Sequence, residues 1–222
     1  VEKHTKKGAK DNDPCVTVYY ADGHHIDLPI YFMLDGDEHP KLAHRKDPWM
    51  CSDPRNLIDW FSEECAEKTM LRRLVRYLKA WCENINNEKD FKMPTGCIMT
   101  MLAAEYYMEN EDSREDIAMR DLLTAMYDAL SKDDGFHCWR PTYPYEDLFE
   151  YYKNRKDKFL AELKSFKADA TRAIESKNPH DACLKWQKHF GDRFCCSTAK
   201  DEDEDAQAKS FSGTINTNSR FA

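Results

Sequence analysis

The sequence predicts an α+β fold in which a small strand-rich start leads into a mostly helical body. Three observations carry this. Two β-rich runs flank an Asp-Gly turn near the N-terminus. Beyond residue 51, apolar residues recur at three- and four-residue steps, and caps and prolines punctuate that stretch. With 222 residues, 41% hydrophobic and 33% charged, the chain is long enough for one sizeable core or two small ones.

Taken in order, residues 1–14 are polar and read as a linker. The runs 15–21 and 25–34 form a hairpin across Asp22-Gly23-His24, and Asp35-Gly36-Asp37 makes a second turn. Ser52-Asp53-Pro54 opens a helix carrying Leu57, Ile58, Trp60 and Phe61. A second helix spans 68–83. A third starts at Thr95 and is apolar almost all round, as a central buried helix would be. Ser113-x-x-Asp116 resembles a capping box before a fourth. Residues 136–144, aromatic and proline-bearing, read as an ordered loop, and 145–177 as a long helix broken near Asn154. The last helix has Asn178 as cap, Pro179 in its first turn and Gly191 as stop. The polar, acidic stretch after Phe194 is expected to be disordered. The predicted division is thus 1–50, 51–196 and a tail, 197–222.

Composition excludes some functions. At a net charge of −8 the chain is repelled by bulk nucleic acid and anionic membranes, so an anionic ligand needs a local basic site. No apolar run is long enough to cross a bilayer, and the first 13 residues lack the apolar region of a secretory signal, so the cytoplasm is the expected compartment. The nine cysteines are odd in number and scattered; they do not read as a disulfide framework, and most are expected to be small core residues. Without a C-x-x-C pair, a structural zinc site is not expected.

Four features bear on chemistry. Asp27 sits mid-strand, where Asp is depleted, and reads either as a Mg²⁺ ligand or as a residue on a solvated face. On the second helix Lys68, Arg72, Arg76 and Lys79 follow each other at four- and three-residue steps opposite an apolar stripe. This cationic stripe suits a polyphosphate, and a solvated face explains it equally well. Thr95-Gly96 at a helix N-terminus suits a phosphate or is simply a cap. Trp139, Tyr143 and Tyr145 are expected to pack, with base stacking as the alternative. No P-loop, G-x-G-x-x-G, H-E-x-x-H or G-x-S-x-G motif occurs.

Several segments in this order resemble one family. They are Tyr20-Ala21-Asp22-Gly23 with His25-Ile26-Asp27-Leu28-Pro29; Ser52-Asp53-Pro54-Arg55; Leu71-Arg72-Arg73-Leu74 through Trp81; Met93-Pro94-Thr95-Gly96; Trp139-Arg140-Pro141; and Phe190-Gly191-Asp192-Arg193-Phe194. Over roughly residues 15–194 the chain resembles the bacterial CD-NTases, cyclic GMP-AMP synthase-like nucleotidyltransferases. The resemblance implies a polymerase-β-like nucleotidyltransferase core whose three carboxylates hold Mg²⁺ or Mn²⁺, with Asp27 matching the third. It implies that Arg76, Lys79 and Thr95 face the triphosphate of ATP, GTP or another NTP, and that the product is a cyclic di- or trinucleotide used in anti-phage signalling. The family's Gly-Ser motif and D-x-D pair belong before the Asp27 strand, so a missing N-terminal segment is expected to complete the enzyme; Asp35-Gly36-Asp37 has the right spelling in the wrong place. A catalytically incomplete nucleotide-binding or regulatory protein and a pure interaction module are the rival readings. The resemblance also implies that the tail, ending in Arg220-Phe221-Ala222, is joined through Ala222 to another molecule by a ubiquitin-ligase-like partner enzyme.

Overall fold

The computed structural model describes residues 8–47, 49–109 and 114–202. The chain divides into two compact units, residues 8–63 with 139–147, and residues 64–138 with 148–202. The α+β class read from the sequence holds, and most of the regular structure is helical.

The first unit contains two small antiparallel sheets. One has the order β1 (Ala9–Asp11), β2 (Val16–Tyr19), β3 (His25–Leu28). The expected hairpin is β2–β3, with Gly23 in the left-handed region at φ +96°, which its lack of a Cβ permits. Its register pairs Thr17 with Asp27 and Val18 with Ile26. Two expectations fail here. The stretch read as a linker supplies β1, paired with β2. The run 25–34 is not one strand: Pro29 cannot donate to a ladder, and the chain leaves the first sheet after Leu28. It resumes as β4 (Tyr31–Phe32), which joins β5 (Lys41–Leu42) and β6 (Met50–Cys51) in a second sheet. Trp139 and Asp147 form an isolated antiparallel bridge. Asp37 N–H donates to the Leu34 carbonyl, so Asp35-Gly36-Asp37 is a turn, as expected.

α1 (Pro54–Glu67) starts where the sequence places it, with the Asn56 N–H donating to Asp53 Oδ1 at 3.0 Å, and the division between the units falls within it. The second unit holds α2 (Leu71–Glu88), α3 (Gly96–Tyr106), α4 (Glu115–Leu130), α5 (Lys156–Glu175) and α6 (Pro179–Phe190). Their apolar stripes meet in one core around Leu71, Leu74, Leu78, Trp81, Ile98 and Phe166, each fully buried. Burial of each such side chain stabilises by roughly 1.5–3 kcal/mol. The expected break near Asn154 is a change of helix type, a 3-10 stretch over Leu148–Arg155 handing on to α5. Ser113 of the expected capping box lies outside the described residues.

Two further expectations are corrected at the C-terminal end. Cys183 and Cys196 form a disulfide, because the turn at Gly191 folds the following segment back along α6. Of the remaining cysteines only Cys82 and Cys138 are buried. Residues just past Phe194 are also ordered: His180 N–H donates to the Lys200 carbonyl at 3.2 Å and Asn178 Nδ2 to Asp201 Oδ1 at 2.9 Å. The rest of the tail, from residue 203, lies outside the described residues.

Candidate functional site

In the second unit an open cavity of about 470 Å³ is lined by Lys79, Lys92, Thr95, Gly96, Tyr152 and Arg155, with Cys82, Glu83, Asn86, Met93 and Pro94. Local sequence explains its frame. Trp81, Cys82 and Ile85 sink one face of α2 into the core, which leaves Arg76 and Lys79 exposed on the other. The chain then returns through Met93 and Pro94, both buried, and Asn86 Oδ1 accepts the Met93 N–H at 2.7 Å, fixing the approach to α3. Thr95 caps α3 through a long contact, 3.5 Å, from the Ile98 N–H. The start of α3 therefore faces the cavity with the partial positive charge of a helix N-terminus.

Gly96 has a specific role in this arrangement. A Cβ there would lie 2.9 Å from Lys79 Cε and 3.3 Å from its Cδ, so the lysine stem runs across the glycine. Lys92 is exposed, and the Arg155 guanidinium lies 5.5 Å from the Tyr152 ring centroid. Among the described residues none of Arg76, Lys79, Lys92 and Arg155 forms an ion pair with a carboxylate. The carboxylate at the cavity, Glu83, is engaged by Arg193, whose hydrogen bond holds its carboxyl below the ordinary value. Burial pushes the Cys82 thiol up to about 12, so it is not a nucleophile near neutral pH. The site offers unpaired cations, a helix N-terminus and a hydroxyl, which together suit a polyphosphate.

The predicted residues do not all meet at this cavity. Lys79 and Thr95 share the cavity, and Arg76 stands one turn before Lys79 on the exposed face of α2. Lys68 does not continue the stripe, since its ammonium is 2.7 Å from Glu64 Oε2 and 2.5 Å from the Ala104 carbonyl oxygen. Lys92 and Arg155 were not picked out from the sequence. The basic residue at the expected helix break near Asn154 was the available signal for Arg155.

Asp27 lies in the first unit, exposed on β3. Its Oδ1 accepts the hydroxyl of the buried Thr17 at 2.6 Å, and Thr17 in turn accepts from Asn12 Nδ2 at 2.6 Å. This orients the carboxylate. Among the described residues no group of three or more His, Cys, Asp or Glu could hold a metal. One carboxylate is nonetheless a fitting single ligand for Mg²⁺, which takes one or two together with phosphate oxygens and water.

The aromatic loop departs from the packing expectation. Tyr143 stacks on His39 with centroids 4.1 Å apart, but Trp139 and Tyr145 are 61% and 62% exposed, and Tyr145 adopts φ +55°. Ala222 lies outside the described residues.

No protein-family profile matches the chain. Over 94 residues, 41% of the chain, it is 32% identical to a cyclic GMP-AMP synthase of Escherichia albertii, of which this covers 20%. In fold it is similar to Vibrio cholerae DncV, a cyclic AMP-GMP synthase. Against DncV with a nonhydrolysable GTP the TM-score is 0.72 at 21% identity, covering 85% of this chain and 53% of the other. Against DncV with a linear intermediate it is 0.71 at 20% identity, covering 85% and 54%. The chain therefore spans about half the length of the solved structures it matches and a fifth of the curated relative. The resemblance to CD-NTases extends to the fold.

Proposed function

We propose that this chain is the C-terminal part of a cyclic-oligonucleotide synthase that transfers nucleotidyl groups from ATP, GTP or other NTPs. The cationic cavity at the start of α3 carries the reading. It gathers Lys79, Lys92, Arg155 and Thr95 on a chain of net charge −8, where unpaired clustered cations call for an anionic ligand. Lys79 and Arg76 grip the triphosphate, and Thr95 with the first turn of α3 receives one of its phosphate groups. Asp27, oriented by Thr17, is one ligand for Mg²⁺ or Mn²⁺. When bound, such an ion polarises the phosphoryl group and neutralises charge on the leaving pyrophosphate.

A preceding segment with the remaining carboxylates completes the catalytic set. The sheet supports this. Among the described residues β3 is an edge strand, and Ile26, Leu28, Ile30, Phe32, Met33 and Leu34 are 44–62% exposed, an apolar run that a further strand or helix would cover. We further assign the enzyme to anti-phage signalling in the cytoplasm. Among the described residues no helix is long and apolar enough to cross a membrane. Ala222 is proposed as the point of conjugation by a ubiquitin-ligase-like partner, an attachment that deleting Phe221 and Ala222 would abolish on a denaturing gel.

Calorimetric titration of the chain with ATP and GTP tests the central claim. Changing Arg76 and Lys79 together to Ala is expected to weaken binding at least tenfold, whereas Lys68→Ala, whose ammonium is already engaged, leaves it within about twofold. Equal small effects in both variants would leave only a solvated basic face.

A further inference from the structure

Beyond Gly191 the chain folds back on α6 through a few local contacts. The Phe194 N–H donates to the Gly191 carbonyl at 3.0 Å, and Gln187 Nε2 donates to the Phe194 carbonyl at 2.7 Å. The Cys183–Cys196 disulfide, with Cα atoms 5.6 Å apart, clips this segment to the helix. The segment has a structural consequence, because Arg193 and Phe194, with Trp186 and Phe190 of α6, wall an aromatic cavity of about 380 Å³ that also borders Tyr77 and Met119. Trp186, Phe190 and Phe194 form a ladder of stacked rings along it.

A third cysteine adjoins the clip. Cys195 is a free, exposed thiol beside Cys196, and its carbonyl oxygen lies 3.9 Å from Cys183 Sγ. Its Sγ is 2.9 Å from the Ser197 hydroxyl. Hydrogen bonds from the Ser197 side chain and backbone hold the Cys195 thiol below its ordinary value, which raises the thiolate fraction.

We propose that Cys183, Cys195 and Cys196 form a thiol–disulfide exchange site in which Cys183 is the shared sulfur and Cys195 and Cys196 alternate as its partner. The Cys195 thiolate attacks Cys183 Sγ. The Cys183–Cys195 bond forms, the Cys183–Cys196 bond breaks, and its electron pair leaves on Cys196, which takes up the proton that Cys195 gave up. No oxidant or reductant is consumed. Attack on Cys196 is disfavoured, because neighbouring Cα atoms are about 3.8 Å apart, below the span of about 4.4–6.8 Å usual for disulfides. In the second register Cys195 takes the inner place and Cys196 turns outward. The segment shifts by one residue, so Phe194 leaves its place in the ring ladder and the cavity is re-walled.

Thiol counting on the 222-residue chain tests this. The oxidised protein, quenched in acid, denatured and alkylated, should show seven free thiols by intact mass. Cys196→Ser should show six, because Cys195 takes over the bridge, and Cys183→Ser should show eight. Eight free thiols in Cys196→Ser overturns the proposal. A second measurement needs no variant: a neutral-pH iodoacetamide pulse on the oxidised wild type should label Cys196 as well as Cys195 when the peptide is fragmented. Label on Cys195 alone, with Cys196 always bridged, also overturns it.

Discussion

Substituting Gly96 separates an anion site from a solvated basic face, because it acts on Lys79 without removing its charge. A Cβ at Gly96 would meet Lys79 Cε at 2.9 Å, Cδ at 3.3 Å and Cγ at 3.4 Å, so the stem must swing away. All three atoms belong to a flexible side chain, so the cost to folding is small. Alanine is the better helix former by up to about 1 kcal/mol, and in a chain of this size that raises Tm by roughly 2–4 °C at most. The ammonium, however, loses its line to the cavity. A hydrogen bond between charged partners contributes about 1.5–3 kcal/mol, so a tripolyphosphate or ATP titration of Gly96→Ala should show Kd raised by roughly 10- to 100-fold. The signature is weaker binding in a protein that melts no lower than wild type. Unchanged affinity, with Tm equal or higher, would mean that Lys79 does not hold the anion, and the assignment of the cavity would fall with it.

Two other outcomes follow from side chains already placed. In the completed enzyme, Asp27→Asn should abolish metal-dependent turnover of radiolabelled NTP while the fold persists, since the amide oxygen still accepts from Thr17; near-normal turnover would remove Asp27 from the metal site. Asp169, 6% exposed, accepts from Lys188 Nζ at 2.7 Å and His189 Nε2 at 2.9 Å, and pairs with Arg172 at 3.1 Å. Burial opposes its ionisation, but hydrogen bonds from Lys188 and His189 outweigh burial and hold its carboxyl below the ordinary value. Asp169→Ala leaves the buried His189 ring N–H without its acceptor while Lys188 and Arg172 stay solvated, so it should cost about 1–3 kcal/mol, a fall in Tm of roughly 2–10 °C. The pH sense is also fixed. Burial lowers the His189 pKa, so protonating it favours the unfolded chain and stability declines as pH falls below about 6.5. The Asp169 contribution is present above the unfolded carboxyl value of about 3.9 and is lost as pH falls through its lower folded value. Denaturant midpoints flat from pH 7 to 3 would contradict both.

What the sequence made legible was local. Asp22-Gly23 needs only its own backbone to turn, and Asn178, Pro179 and Gly191 mark the ends of α6 through groups within a few residues. The sequence pattern starts α2 three residues early, because Lys68 keeps step with the cations Arg72, Arg76 and Lys79, yet its ammonium is held by Glu64 and the Ala104 carbonyl. β1 is hidden for a different reason: Ala9-Lys10-Asp11 has no strand signature of its own and is ordered by pairing with β2. The strands β4 to β6 are two residues each, too short for any period to be seen.

The cationic cavity shows where legibility ends and why. Lys79, Lys92 and Arg155 lie on α2, on the loop before α3 and at the junction with α5, so no spacing relates them. Sequence supplied one of the three, through the periodicity of α2. The selection of the others is electrostatic. Elsewhere on this acidic chain Arg45, Arg73, Lys89, Arg114 and Lys167 are each taken up by a carboxylate. Such exposed pairs contribute at most about 1 kcal/mol, and their weight here is as a contrast. Acidic residues outnumber basic ones 41 to 33, so partners for a cation are plentiful on this surface. Leaving several cations unpaired around one cavity, with a helix N-terminus beside them, costs stability through mutual repulsion of a few tenths of a kcal/mol per pair. That cost is offset when an anion binds, which is the physical argument for reading the cavity as a site rather than as a solvated face.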